Sequence, residues 1–551
     1  MYNLLIGGAA GQGIDTTAAV LEKLLKRAGY NVLTVRDVMS RVRGGHNFSL
    51  IRFGDSPVLS HSNVLDGIIA LNEETAKLHQ ENLKEDGFIL CDKSMKIDDS
   101  RALRIPMADM AKEIGNPRVA GTIAVGVVLK LFGEGLDNAQ DVLGASLKEK
   151  YLDINIEAIK KGHDAAESRF ERKAGDFGKW MNITGSQAVA LGAIAGGLQF
   201  YSAYPMSPST AIMEYLASKS EDAGLVVEQA EDEIAAINMA IGASYAGARA
   251  MTGTSGGGFS LMVEGLGLAG ISETPVVIAD VQRPGPATGL PTRTEQGDLK
   301  FVISASQGEF PRIVIALKNH RDAFYQTARA LELADQYQTP VILLSDQYLA
   351  DSSATVELFD VKGLESKKTD GPPESGEYLR YAITESGISP RLAPGQTEHL
   401  VYIDSDEHDE KGWITESAEV RTKMVDKRMR KMESFEPQEP EFLGAEDFDV
   451  LLLGWGSMHG PIAEAVKTLE GEGKKIAALV FGDVYPLPQK KLEEMAGKAG
   501  KIIHVEQNAT GQFADLVREQ TGIACAQSIL KYDGRQLTGG EIADRLRKEA
   551  F

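Results

Sequence analysis

The sequence predicts an α/β fold in three modules with mostly parallel sheets. Short apolar runs alternate with helical stretches in three separate regions, the pattern of strands joined by helical crossovers. A charge-dense stretch and a proline-broken stretch divide those regions. With 551 residues the chain is too long for one hydrophobic core and has room for about three or four domains.

The first module is read as residues 1–148. Tyr2–Ile6 is an apolar strand, Gly7–Gly13 a glycine-rich turn, and Thr16–Ala28 a helix. Asn31–Val35 reads as the next strand, Phe48–Phe53 as another by its alternation, then Val64–Ala70 and Gly87–Leu90. Residues 149–181 are dense in charge and read as a helical linker. The second module spans 182–350, with strands expected at Ala250–Thr252, Pro275–Ala279, Arg312–Ile315 and Pro340–Leu344. From 351 to 445 the chain turns polar and irregular, broken by Pro372, Pro373, Pro390, Pro394, Pro437 and Pro440. The third module, 446–551, opens on the apolar run Asp449–Gly456 and shows three strand–helix alternations.

Composition excludes several function classes. The formal net charge of -21 argues against nucleic acid and anionic membrane partners, which need clustered Lys and Arg. Cys91 and Cys525 are too few and too far apart for a thiolate zinc or iron–sulfur site within this chain. They make no disulfide framework either, so a reducing cytoplasm is the expected location. No basic stretch precedes the first apolar residues, so no signal peptide is expected. Met181–Met213 carries no charge, but Asn182, Gln187, Gln199 and two prolines interrupt it. It reads as a buried helix, a buried strand and a loop rather than a membrane span.

Two motifs in the first module suit an anion. Gly8, Gly11 and Gly13 lie between a strand and a helix start, where backbone N–H groups and the helix dipole favour a phosphate or pyrophosphate. Their spacing reverses the usual dinucleotide fingerprint, and Arg36 stands where that fingerprint wants an acid, which disfavours a nicotinamide cofactor. A tight turn that packs a helix on a sheet is the plainer alternative. Arg41 and Arg43, beside the Gly44–Gly45 pair and His46, would suit a phosphorylated ligand such as coenzyme A, or form a solvated loop.

The second module carries the sharpest signal. Glu233 follows the apolar run Leu225–Val227 and opens a helix rich in Ala and Gly, small enough to pack closely around a cofactor ring. A partly desolvated carboxylate can share a proton with N1′ of an aminopyrimidine and shift that ring toward its imino form, as thiamine diphosphate chemistry requires. The loop Thr252–Gly258, containing Thr254, Ser255 and Gly256, can bring its backbone close to a planar ring. The plain alternative for Glu233 is an acid in the first turn of a helix, favoured there by the dipole, with Glu231 and Asp232 beside it. Glu407–Glu410 invites a metal reading, but adjacent loop residues rarely converge on one ion, and a solvated turn is expected.

Tyr204–Thr210, reading Tyr-Pro-Met-Ser-Pro-Ser-Thr, closely resembles the Tyr-Pro-Ile-Thr-Pro-Ser signature of the 2-oxoacid:ferredoxin oxidoreductases. Glu228–Ala236 resembles their pyrimidine-domain segment, the step from Glu233 to Gly242 their glutamate-to-glycine step, and Gln282–Asp298 a long stretch of their alpha subunit. The N-terminal glycine turn resembles the family's gamma module. Asp404–Glu416 and the third module are similar to the alpha subunit of the 2-oxoglutarate branch. The resemblance covers nearly the whole chain, as a fused gamma–alpha subunit. It implies a Rossmann-like gamma module, a thiamine-pyrimidine-binding module and a transketolase C-terminal-like module.

Carried over residue by residue, the resemblance makes Glu233 the activator of the aminopyrimidine and sets Tyr204, Pro205, Thr254, Ser255 and Gly256 around thiamine diphosphate. It places Arg283 and the Ser207 hydroxyl near the substrate carboxylate, with Arg293 a second candidate for a distal carboxylate. Gly8, Gly11, Gly13 and Arg43 become the coenzyme A contact. Ser207 and Met206 replace the family's Thr and Ile, which keeps a hydroxyl, loses a methyl and bears on substrate preference. The chain has no Gly-Asp-Gly diphosphate motif. The family's organisation assigns the diphosphate, magnesium and the iron–sulfur cluster to a beta subunit, with ferredoxin as electron acceptor. The implied reaction is CoA-dependent oxidative decarboxylation of a 2-oxoacid, with 2-oxoglutarate first and pyruvate or a branched-chain oxoacid as alternatives. From another class, a non-catalytic coenzyme A- or nucleotide-binding assembly subunit would keep the glycine turn and lose the acid or the arginine. A transketolase-like enzyme would need its own diphosphate motif.

Overall fold

Strands and helices alternate as the sequence leads one to expect, and the computed structural model describes residues 1–39, 45–364, 377–396 and 398–551. Two compact units result, the first formed by Met1–Thr184 with Asp351–Leu358 and Thr538–Gly540, the second by the remainder. Among the described residues no helix is long and apolar enough to cross a membrane.

The first unit holds an eight-stranded sheet. Its order is Ala102–Ile105, Leu83–Asp92, Leu65–Ala70, Tyr2–Ala9, His46–Gly54, Asn31–Asp37, Ser353–Val356 and Met181–Thr184. The first four strands pair in parallel and the rest antiparallel, so this sheet is mixed where a mostly parallel one is expected. The cause is chain length. Only residues 38–45 join Asn31–Asp37 to His46–Gly54, too few for the helical crossover that a parallel pair needs. The helix Ile14–Arg27 starts at Gly13, whose φ of 79° is open to glycine, and buries Ala18, Leu21 and Leu25 against Ile6, Phe53 and Phe132. In the charge-dense stretch 149–181, the helix Leu152–Asp164 packs on Ala120–Leu131. Gly126 and Gly162 make that crossing possible, because a Cβ on either would strike the backbone of the facing helix.

The second unit holds two sheets around a shared core. The seven-stranded sheet runs Asp483–Tyr485, Ile313–Ala316, Pro340–Asp346, Val276–Gln282, Ala250–Thr254, Phe200–Ala203 and Val226–Gln229. All its pairings are parallel except that of Asp483–Tyr485. Its inner strands read as continuous apolar runs, since helices cover both faces. The five-stranded sheet, from Glu441–Gly444 through Ile476–Phe481, Val450–Trp455 and Lys501–Glu506 to Gln527–Leu530, contributes Trp455 and Phe481 to the core that holds Ile278, Val314 and Ile342.

The polar stretch 351–445 carries more structure than its prolines suggest. Ser353–Val356 joins the first sheet, and the helix Ala418–Arg430 delivers a buried ionic cluster to the second unit. Glu273, wholly buried, meets Lys427 Nζ at 2.6 Å and Lys431 Nζ at 2.5 Å, while Arg380 donates to its backbone oxygen at 2.7 Å. Glu407–Glu410 is likewise not a solvated turn. Glu407 accepts from Arg428 at 2.8 and 3.0 Å and from Arg421, and His408 is buried against the Tyr381 ring. Glu410 receives the Tyr381 backbone N–H at 2.9 Å. The segment is a half-buried, ion-paired clamp around the buried His408.

Candidate active site

Four neighbouring parallel strands of the seven-stranded sheet end on one edge, and each is followed by a segment singled out from the sequence. Phe200–Ala203 leads into Tyr204–Thr210, Val226–Gln229 into Glu233, Ala250–Thr254 into Ser255 and Gly256, and Val276–Gln282 into Arg283. Carboxyl ends of strands in an open α/β sheet are where such folds bind ligands. Ser202 Oγ donates to Ala236 O at 2.7 Å and ties one of these strands to the Glu233 helix.

Capping separates Glu233 from its acidic neighbours. Asp232 is the N-cap of the helix Glu233–Tyr245 and accepts the Ala235 N–H at 2.7 Å. With that role taken, Glu233 turns inward. It is 3% exposed, and its Oε1 is buried with no hydrogen-bond partner. An acid serving only the helix dipole would face solvent. Glycines on the helix Gly256–Ile271 admit it: a Cβ at Gly258 would stand 2.6 Å from Glu233 Oε1, and one at Gly265 would stand 2.7 Å from Ile237. Ser255 precedes this helix with its hydroxyl buried and unpartnered, and Thr254 is fully buried.

Arg283 and Ser207 come together as the sequence suggests, though by a different atom. Arg283 Nη1 donates to the Ser207 backbone oxygen at 2.7 Å, so the carbonyl rather than the hydroxyl makes this contact. Burial lowers the Arg283 guanidinium from its ordinary range, with Asp298 acting in opposition. Tyr204 and Ser207 are exposed and Pro205 is half-buried, on a surface loop. Arg293 is half-buried and lies by Gly534, where a Cβ would meet its side chain at 3.1 Å.

Sequence reasoning missed three acids here. Asp280 is wholly buried, and burial and then Asp298 push its carboxyl far above the usual range. Asp298 is pushed up to about 6 by burial, with Arg283 opposing, and Glu295 up to about 7 by burial and by Asp298. The available signal was Asp280 itself, a lone acid inside the apolar run Val276–Gln282.

In the first unit the glycine turn is a tight one. Gly11 and Gly13 have φ of 91° and 79°, and Gln12 folds over the turn, its Oε1 accepting the Ala9 N–H at 2.7 Å beside Gly8. One backbone donor of the proposed anion cradle is thereby occupied. Arg41 and Arg43 lie outside the described residues. His46 Nε2 pairs with His79 Nε2 at 2.8 Å, which gives His46 a structural partner.

Comparison with known proteins decides the family. A family model described as pyruvate flavodoxin/ferredoxin oxidoreductase, thiamine diphosphate-binding, matches residues 191–427, and one described as pyruvate ferredoxin/flavodoxin oxidoreductase matches residues 3–165. A 2-oxoacid:ferredoxin oxidoreductase subunit alpha from a Sulfolobus species is 33% identical over 616 aligned positions, covering 99% of this chain and 96% of that protein. The chain belongs to the 2-oxoacid:ferredoxin oxidoreductases, as an alpha subunit. The 2-oxoglutarate synthase subunit KorA of Methanothermobacter marburgensis is 31% identical over 367 positions, 66% of this chain and 97% of that protein. Among solved structures, the 2-oxoglutarate:ferredoxin oxidoreductase from Magnetococcus marinus, with 2-oxoglutarate, coenzyme A and succinyl-CoA bound, matches with a TM-score of 0.93 at 32% identity. That match covers 100% of this chain and 99% of that one. The α/β class and the oxidoreductase class expected from the sequence both hold.

The thiamine diphosphate of this family fits the residues present. An orphaned, buried carboxylate oxygen at a helix start, beside a glycine whose missing Cβ leaves it room, is the environment an aminopyrimidine nitrogen needs.

Proposed function

We propose that this chain is the fused gamma–alpha subunit of a 2-oxoglutarate:ferredoxin oxidoreductase. It converts the 2-oxoacid and coenzyme A into acyl-CoA, carbon dioxide and a proton, and passes two electrons to ferredoxin through a beta subunit. The observation that carries this reading is the unpartnered Oε1 of Glu233, buried at the carboxyl edge of the sheet. The 2-oxoglutarate preference is supported by the names of the relatives, KorA and the Magnetococcus enzyme, which align at 31% and 32% identity.

Thiamine diphosphate, when bound, supplies a carbon nucleophile and an electron sink for decarboxylation. Glu233 Oε1 would hold the proton shared with the aminopyrimidine, and Thr254, Ser255, Gly256, Tyr204 and Pro205 would hold the cofactor. Arg283 orients the substrate carboxylate, and its bond to the Ser207 carbonyl fixes the guanidinium plane. The glycine turn at Gly8–Gly13 takes part in holding coenzyme A.

A partner is built into the reading. Val226, Ile234, Met239 and Leu261, on the edge strand and the two helices around Glu233, are each 40% exposed or more, an apolar face beside the site. This face receives the beta subunit, which brings magnesium, the diphosphate site and the iron–sulfur cluster. Cys91 and Cys525 remain free thiols, which suits the cytoplasm.

The test is CoA-dependent viologen reduction by this chain co-expressed with its beta subunit, across a panel of 2-oxoacids. A kcat/KM for 2-oxoglutarate well above those for pyruvate and branched-chain acids is expected. Preference for one of the others moves the substrate. No turnover in a complex holding thiamine diphosphate and an intact cluster overturns the reading.

A further inference from the structure

The loop from Arg283 to Asp298 carries the arginine of the site, yet it contains no helix or strand, and residues 285–290 are exposed. Such a loop does not fix a guanidinium by itself. Two buried glutamines fix it instead. Gln282, the last residue of the strand Val276–Gln282, accepts the Asp298 N–H at 3.0 Å and donates to Ser345 O at 3.0 Å. It thereby closes the loop at its base, one residue before Arg283. Gln296, 1% exposed, fastens the far end to the five-stranded sheet. Its N–H donates to Gln507 O at 2.7 Å, and its backbone oxygen accepts from Asn508 Nδ2 at 3.0 Å. Its side chain accepts the Gln507 N–H at 3.1 Å and donates to Trp455 O at 3.0 Å. Beside it, Gln512 donates to Gly297 O at 2.7 Å and accepts the Lys300 N–H at 2.9 Å. Trp455 ends the strand Val450–Trp455, and Gln507 and Asn508 follow the end of Lys501–Glu506, its parallel neighbour. The carboxyl end of such a pair is where an open α/β sheet takes a ligand. Here it takes the loop.

We propose that Gln296 is a positioning residue for the 2-oxoacid: by pinning the loop to the five-stranded sheet it sets where Arg283 presents its guanidinium. The inference rests on Arg283 being the carboxylate anchor. The tip of that side chain is held at one point, where Nη1 donates to the Ser207 backbone oxygen at 2.7 Å. Its stem is held only through the loop, by way of Gln282, Asp298 and Gln296. With both ends fixed, the remaining guanidinium N–H groups keep one direction, as recognition of a carboxylate requires. With the loop released, the guanidinium pivots about Ser207 and that direction is lost. A glutamine suits the place because one side chain supplies both the donor for Trp455 O and the acceptor for Gln507 N–H. Methionine fills a similar length and supplies neither. The loop is braced once more from the same sheet's side at Gly534. The Thr294 N–H donates to Gly534 O at 3.4 Å, and a Cβ at Gly534 would stand 3.1 Å from both Leu290 Cδ1 and Arg293 Cβ. On this reading the five-stranded sheet serves the reaction by holding the loop, with no reacting group of its own.

The experiment compares Gln296→Met and Gln512→Ala with the native chain, each in the complex with the beta subunit. Gln512 is half-buried, so its variant keeps the test open where Gln296→Met folds poorly. KM for the oxoacid is expected to rise by about tenfold, the size of one charge-assisted hydrogen bond, with kcat and the KM for coenzyme A near native. A merely structural role would lower Tm and the yield of active complex and leave the oxoacid KM alone, and that result overturns the proposal. Amide hydrogen exchange of the full chain reads the pinning without turnover. Slow exchange across residues 284–298 in the native chain, faster in both variants, is expected, and native-like exchange in both overturns the proposal. Arg283→Ala separates the two readings. If it raises the oxoacid KM while the loop variants do not, the anchor stands and the positioning role falls. If Arg283→Ala leaves KM unchanged, the anchor assignment falls and takes this inference with it.

Discussion

Gly258→Ala is the most economical test of the site, because it adds one methyl group at the surface that defines Glu233. The new Cβ would sit 2.1 Å from Thr254 Oγ1, 2.6 Å from Glu233 Oε1 and 2.8 Å from its Cγ, whereas ordinary contact begins at 3.4 Å, so the Thr254 hydroxyl must turn away as well. The carboxyl must therefore move by about 0.8 Å, away from a helix turn it now lies against. Misplacement of a catalytic group by that amount costs roughly 10²-fold in kcat. Stability responds differently. Alanine gains about 1 kcal/mol over glycine in a helix, and crowding costs about 1–3 kcal/mol, so the net loss stays under about 2 kcal/mol. The control is Gly257→Ala, whose Cβ would meet nothing closer than Ala287 O at 3.8 Å and whose activity and Tm stay near those of the native chain. The assay is kcat of the reconstituted complex beside thermal unfolding of each variant. A Gly258→Ala complex that turns over within threefold of native would remove Glu233 from the reacting centre.

Four further expectations follow from named contacts. Glu233→Gln keeps the shape, leaves Tm unchanged or slightly higher, and lowers kcat by about 10²–10⁴-fold, as loss of an acid–base group does; turnover near native would contradict it. Arg283→Lys keeps a charge but loses the fork that reaches both Ser207 O and a carboxylate, and KM rises roughly 10- to 100-fold, equivalent to about 1.5–3 kcal/mol. Glu273→Gln strands Lys427, Lys431 and Arg380 in the core and destabilises the chain by about 3–5 kcal/mol in denaturant titration, with the complex's KM unaffected. Lys431 is brought down to about 7 by burial, with Glu273 opposing and Lys427 adding to the effect. Between about 7 and its ordinary 10.5 the unfolded chain holds a proton the folded chain has released, so this lysine makes stability rise with pH there. The denaturation midpoint of Lys431→Met should lack that share of the rise.

What the sequence made legible was local. Glu233, Arg283 and the Tyr204–Thr210 segment each follow a strand run, and in a parallel sheet that alone places them on one edge. The sequence left the alternative for Glu233 open because three consecutive acids cannot be ranked by spacing. Only the Asp232 side chain, bonded to Ala235 N–H, shows which acid caps the helix and which turns inward. The mixed first sheet was legible in principle from the short connection at 38–45, but the alternation of strands with helices points to a parallel pattern instead. Ser353–Val356 was not legible at all. It is a four-residue strand in a polar region, and its place beside Asn31–Asp37 is set by a partner more than three hundred residues away. The ionic clamp of Glu273 was hidden for the same reason, since nothing in Lys427 or Lys431 marks a lysine that will be buried.

The three glycines at the start of the helix Gly256–Ile271 explain why this site needs so few specialised residues. Gly256 receives the Asp298 carboxyl and Gly258 receives that of Glu233, while Gly257 between them faces outward. One helical turn without side chains thus sets the positions of two acids that arrive from different elements. The same turn cannot complete a site for a cofactor with a diphosphate, because the face continuing from Glu233 through Ile234 and Met239 is apolar and open. An apolar face beside an orphaned carboxylate is unfavourable for a chain alone and favourable for a chain that meets a partner there. On the proposed function the chemistry of Glu233 and the exposure of its neighbours are one feature: the buried acid lies beside the face that a second subunit would cover.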